Sequence, residues 1–117
     1  MTEMQHQQLV FKWAQQPSIR SKHPELKLMY HIPNERNCTP AQGRQLKLAG
    51  VRSGVPDLEL PVSRKGYAGL HIEMKTETGR LSDAQKWWIS ELEKQGRKCC
   101  VCYGYKQAIS AIEDYLK

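Results

Sequence analysis

Three residues of the 117-residue chain have the types and spacing to do chemistry together: Asp57 in "GVPDLELP", and Glu73 and Lys75 in "GLHIEMK". Asp57 follows a proline inside an apolar run. Proline removes a strand donor and an unpaired carboxylate is costly to bury, so the position calls for a use. Two short strands side by side, one with Asp57 near its start and the other with Glu73 near its end, bring both carboxylates level at one rim of an antiparallel sheet. Lys75 lies two residues beyond Glu73 and points to the same face. Two carboxylates offer hard oxygen ligands to Mg²⁺ or Mn²⁺, and the carbonyl of Met74 is an additional candidate ligand. Such an ion polarises a phosphodiester and activates water, while an ammonium beside it positions the nucleophile or stabilises the charge of the transition state.

The elements that must position these residues follow from periodicity. Leu9, Val10, Trp13 and Ala14 recur at helical spacing from Met4 to about Gln15, with Pro17 marking the end. "LKLMYHIP" alternates apolar residues at 26, 28, 30 and 32 and is expected as a strand stopped by Pro33. Thr39, Pro40 and Gln42 form a capped helix start in "CTPAQGRQLKLAG", and Gly50 closes that short helix. "PDLELPV" and "GLHIEMK" are strands joined by a hairpin-like "SRKGYA". The pattern of His71, Glu73 and Lys75 against Leu70, Ile72 and Met74 describes a half-exposed strand. Ser82 and Gln85 form a second capping box opening "SDAQKWWISELEKQG", with Leu81, Ala84, Trp88 and Leu92 on one face. "KCCVCYG" is a fourth strand and "YKQAISAIEDYL" a closing helix.

Composition bounds what this arrangement serves. The length suits a single domain over residues 1–117 with one core. No window approaches the ~20 apolar residues of a membrane span, and the polar start does not read as a signal peptide, so a cytoplasmic protein is expected. The net charge is +6, and residues 1–55 carry most of it, with eight Lys/Arg against three Asp/Glu. That bias is the footprint of a polyanion binder, although a solvated surface alone also produces it. Cys38, Cys99, Cys100 and Cys102 lack zinc spacing and read as free thiols; neighbours on a strand point to opposite faces. The four histidines share no metal spacing either.

"GVPDL" followed by "IEMK" resembles the PD-(D/E)xK nuclease superfamily. More narrowly, "YHIPNE", "AGVRSGVPDLELP", "GLHIEMK", "GRLSDAQKWWISELEKQG" and the final strand and helix resemble the virus-type replication-repair nuclease (VRR-NUC) domain, over roughly residues 3 to 117. The resemblance implies a restriction-endonuclease-like αβββαβ core with a short inserted helix and a closing C-terminal helix. It implies Asp57 and Glu73 as metal ligands, Lys75 as the catalytic lysine and an acid on the first helix, for which Glu3 is the match. It places Gln85 near the site, where the capping box explains that residue equally well. Stand-alone members look like homodimeric, structure-selective nucleases of viruses and bacteria, some acting on branched DNA such as four-way junctions; a viral member would work in the cytoplasm of its bacterial host.

Around this centre, Arg52, Ser53 and Gly54 are expected to form a turn that lets a phosphate approach. Arg52 and Arg80 would contact the DNA backbone, with Arg44 and Lys47 on the short helix beside them. Asn34 and Glu35 are expected at the border of the site, with a Pro-Asn turn as the competing account. Trp88 is expected in the core and Trp87 at a packing surface. The reading is a Mg²⁺- or Mn²⁺-dependent DNA endonuclease. The alternative from a different class is a non-catalytic junction-binding or scaffold module, against which the intact Asp-Glu-Lys trio argues.

Overall fold

The computed structural model describes residues 1–33 and 38–117, so Asn34 and Glu35 lie outside the described residues. Helix α1 (Glu3–Ala14) starts from a capping box in which Thr2 and Gln5 satisfy each other's backbone N–H, and it buries Gln7, Val10 and Ala14. Pro17 does more than end it. Proline is pre-organised for a first helical position, and a second short helix, α2 (Pro17–Lys22), begins there.

The expected strand at residues 26–32 is largely absent. Pro24–Leu28 forms a 3₁₀ turn and only Tyr30–His31 pairs, as β1. The buried residues are Leu26 and Met29, three apart as a 3₁₀ turn requires, whereas Leu28 is 53% exposed. Helix α3 (Pro40–Leu48) has the expected Thr39/Gln42 capping box and buries only Gly43.

Among the described residues four strands form one sheet in the order β1-β2-β3-β4, where β2 is Leu58–Leu60, β3 is Leu70–Lys75 and β4 is Lys98–Tyr103. β2 pairs antiparallel with both β1 and β3, and β3 pairs parallel with β4. A parallel neighbour needs a long crossover, which α4 (Asp83–Lys94) supplies. The closing helix α5 is Tyr105–Leu116.

Alternation along the strands divides the sheet into two faces. Leu58, Leu60, Leu70, Ile72, Met74 and Cys102 pack with Val10 and Ala14 of α1 and Ala108 and Ile112 of α5. Each fully buried aliphatic side chain there contributes roughly 1.5–3 kcal/mol. The other face carries Glu59, His71, Glu73 and Lys75 and looks toward α4, whose Ile89 carbonyl lies 3.9 Å from Cys99 Sγ. β3 is therefore not half-exposed: all six of its residues are buried. By contrast, α4 buries none of its own side chains, so Trp88 is only half-covered and packs edge-on against the exposed Trp87, 5.4 Å away. Among the described residues no helix is long and apolar enough to cross a membrane.

Candidate active site

The register Leu58↔Ile72 between β2 and β3 sets Asp57, one residue before β2, level with Glu73. Asp57 is fixed at both ends. Its backbone carbonyl accepts from the Ile32 N–H at 2.7 Å and lies 3.0 Å from His31 Nδ1, and its Oδ2 accepts from the Met74 N–H at 2.8 Å. Only 8% of Asp57, 2% of Glu73 and 6% of Lys75 is exposed. The trio expected from spacing is thus assembled on one face, out of bulk water.

Two buried carboxylates side by side cannot both ionise cheaply. Burial, a hydrogen bond with Asp57 and the charge of Asp57 push the Glu73 carboxyl up to about 9, against a smaller opposing pull from Lys75. Glu73 Oε1 has no hydrogen-bond partner although it is buried. An orphaned buried oxygen beside a second carboxylate is what a bound cation would satisfy. The Met74 N–H faces Asp57, and in an extended strand the carbonyl of the same residue lies on the same edge. Two carboxylates with a backbone oxygen fit Mg²⁺ or Mn²⁺, because Mg²⁺ takes one or two protein carboxylates and completes its shell with water and substrate phosphate.

Glu3 is placed differently. Its charge is near enough to add to the rise at Glu73. Among the described residues no three His, Cys, Asp or Glu side chains form a ready-made metal-holding group.

The turn before Asp57 is held by α4. A Cβ at Gly54 would lie 2.7 Å from the Ala84 carbonyl carbon, and Gly54 has φ +92°, so only glycine lets the turn dock on the first turn of α4. That first turn is fixed by the Ser82/Gln85 box, with Gln85 Oε1 accepting from the Ser82 N–H at 2.9 Å. Gln85 therefore acts as a cap. After β3, the turn at Thr76–Gly79 closes over Lys75: a Cβ at Gly79 would lie 3.1 Å from Lys75 Cδ.

Of the expected phosphate-contacting residues, Arg44, Lys47, Arg52, Ser53 and Arg80 are all exposed. Arg52 spends part of its guanidinium on α3, donating to the Lys47 carbonyl at 3.2 Å and to the Val51 carbonyl at 3.3 Å. Residues 38–56 contain no acid.

Sequence reasoning missed two features of this face. Glu59 and His71, opposite each other across β2 and β3, form a cluster with Arg97 directly beside the carboxylate pair. Burial pushes the His71 imidazole below its ordinary value. The signal was present, since Glu59 shares the alternation of Asp57 and His71 that of Glu73. The second is Tyr103, which is in register with Lys75 on β4 and 40% exposed. Cys99, Cys100 and Cys102 form no disulfide, and burial raises the Cys102 thiol to about 12, consistent with an inert packing group.

Comparison with known proteins agrees with this architecture. No curated protein matches the chain significantly. Among solved structures, one described as a "VRR_NUC domain protein" is 30% identical and superposes with a TM-score of 0.82, over 99% of this chain and 88% of its own. The VRR-NUC domain model matches residues 1–106. With a mixed sheet of four strands and five helices among the described residues, and a PD-(D/E)xK-like core, the chain belongs to the VRR-NUC domain family.

Proposed function

We propose that this nuclease-type domain is a Mg²⁺- or Mn²⁺-dependent, structure-selective DNA endonuclease that hydrolyses phosphodiester bonds, with branched DNA as its substrate. The observation that carries the reading is the buried Asp57–Glu73 pair with an unsatisfied Glu73 Oε1 and Lys75 on the same face. A bound divalent cation supplies Lewis-acid polarisation of the phosphodiester and a nucleophilic water at neutral pH. Asp57 and Glu73 would hold it, with the Met74 carbonyl alongside. Lys75, confined by the Thr76–Gly79 turn, stabilises the charge that develops on the phosphoryl oxygens. Arg44, Lys47, Arg52, Ser53 and Arg80, all exposed, would hold the DNA backbone. One protomer offers one such centre, so cutting both strands symmetrically calls for a two-fold homodimer.

The test is incubation with labelled linear duplex, single-stranded, flap and four-way-junction DNA in Mg²⁺, Mn²⁺ or EDTA. Cleavage is expected with either metal, most rapidly on branched substrates, and none in EDTA. Lys75→Met keeps the aliphatic stem and removes the charge; it should lower the rate by about 10²-fold or more while the protein stays folded. Junction binding without cleavage in any metal would favour the scaffold reading.

A further inference from the structure

The crevice at the C-terminal ends of the parallel pair β3 and β4 is unused by the chemistry above. It measures about 440 Å³ and is lined by Met1 together with His6, Thr76, Glu77, Thr78, Tyr103 and Gly104. That volume lies within the range of small-ligand sites, and the carboxyl ends of strands are where open α/β sheets bind ligands. The crevice adjoins the catalytic rim: Thr76 follows Lys75, the Gly104 N–H donates to the Lys75 carbonyl at 3.0 Å, and Tyr103 is in register with Lys75.

Its lining is ordered and has a definite polarity. His6 Nδ1 accepts from the Tyr105 N–H at 3.1 Å, which leaves the imidazole proton on Nε2 as a donor. The His6 ring stacks on Tyr105 with centroids 5.7 Å apart, and a Cβ at Gly104 would meet His6 Cε1 at 3.4 Å. The Tyr103 backbone is fixed by Gln107 Oε1 at 2.9 Å while its ring stays partly open. The Glu77 carboxylate repels a phosphate but accepts from a Watson–Crick-edge N–H of an unpaired base, thymine N3–H included. The hydroxyls of Thr76 and Thr78 donate and accept, and a phenol ring stacks on any base face.

We infer that this crevice is a subsite for an unpaired nucleobase adjoining the scissile phosphate, with Tyr103 as its stacking platform. The inference rests on the nuclease reading and gives a physical source for structure selectivity. A base enters only when it has left the stack, which costs least in single strands and at branch points.

The test measures binding by the full chain in EDTA, where nothing is cut. The probes are a short oligothymidylate and an abasic oligomer of the same length and charge. The protein should bind the oligothymidylate roughly tenfold more tightly, in the range of one base stacked on an aromatic ring. Tyr103→Ala should abolish that preference, Tyr103→Trp should keep it, and the salt dependence should not change, because phosphate contacts remain. Thr78→Leu, on an exposed turn, fills the crevice and should act like Tyr103→Ala even if the latter folds poorly. Equal binding of both oligomers by a protein that cleaves DNA overturns the subsite alone, as does a preference that survives Thr78→Leu. A protein that neither binds nor cuts DNA overturns the nuclease reading and the subsite with it.

Discussion

Asp57 Oδ2 accepts the Met74 N–H at 2.8 Å, so the carboxylate that precedes β2 is tied to the strand that carries Glu73 and Lys75. The site and the β2–β3 junction are therefore one structure. Asp57→Ala would leave the Met74 N–H buried without a partner, at a cost of ~1–3 kcal/mol. Asp57→Asn keeps a carbonyl acceptor and removes the negative charge. Asp57→Asn is expected to lose cleavage with little change in Tm, and Asp57→Ala to lose both cleavage and stability. Thermal melts run beside cleavage assays check this; cleavage retained by Asp57→Asn would remove Asp57 from the metal site.

Glu73 makes the metal-free fold sensitive to pH. Its carboxyl is raised from 4.5 to about 9, chiefly by burial and then by Asp57. Between those values the unfolded chain has released the proton that the folded chain retains, so stability falls as pH rises. The contribution is complete below about pH 4.5 and is lost by about pH 9. In EDTA, Tm should fall more steeply with pH for the wild type than for Glu73→Gln, which has no proton to lose. Added Mg²⁺ should bind more tightly as pH rises, because the pair must ionise to hold it. Parallel Tm–pH curves for the two proteins would show that Glu73 does not carry this proton.

Much of the site was legible because its geometry is short-range. Period-two alternation fixes Lys75 on the face of Glu73, and an antiparallel pair with Asp57 at one strand's start sets it level with Glu73. The capping boxes at Thr39 and Ser82 were readable from four residues each. What was hidden depends on distant chain. The burial of both faces of β3 needs α4 to cross the sheet, and Gly54 is required by Ala84, which lies far along the sequence. At residues 24–32 the apolar alternation misled, because Pro24 opens a 3₁₀ turn that buries Leu26 and Met29 instead of Leu26 and Leu28.

Gly54 and Gly50 make an internal comparison. Both have positive φ, +92° and +107°, but a Cβ at Gly50 meets nothing within 4 Å while one at Gly54 meets the Ala84 backbone at 2.7 Å. Gly50→Ala should cost only the left-handed backbone penalty, ~1–2 kcal/mol. Gly54→Ala adds a clash that must shift either the turn or α4, for a total of ~2–5 kcal/mol. Because that turn leads into Asp57, Gly54→Ala should also slow cleavage at temperatures where the protein is fully folded. Equal Tm losses for the two variants would mean that the turn does not depend on the α4 contact.

The last prediction concerns how DNA is held. Residues 38–56 carry Arg44, Lys47 and Arg52 without an acid, on a helix that buries only Gly43 and on the turn that leads to Asp57. Each phosphate neutralised releases condensed counterions, so affinity falls steeply with salt, by close to one unit of slope per contact. The combined Arg44→Ala, Lys47→Ala and Arg52→Ala protein should lower the magnitude of the slope by about three if all three touch phosphate. Arg52 also donates to the Lys47 and Val51 carbonyls at the end of α3, so its loss should fray that helix. Arg44→Ala alone should therefore change the stability by no more than about 1 kcal/mol, as for an exposed charge, while still lowering the slope by about one. Light scattering of the same samples tests the homodimer. An undiminished slope in the triple variant would place the DNA elsewhere, and a monomer at the concentrations that cleave would leave two-strand cutting to successive encounters.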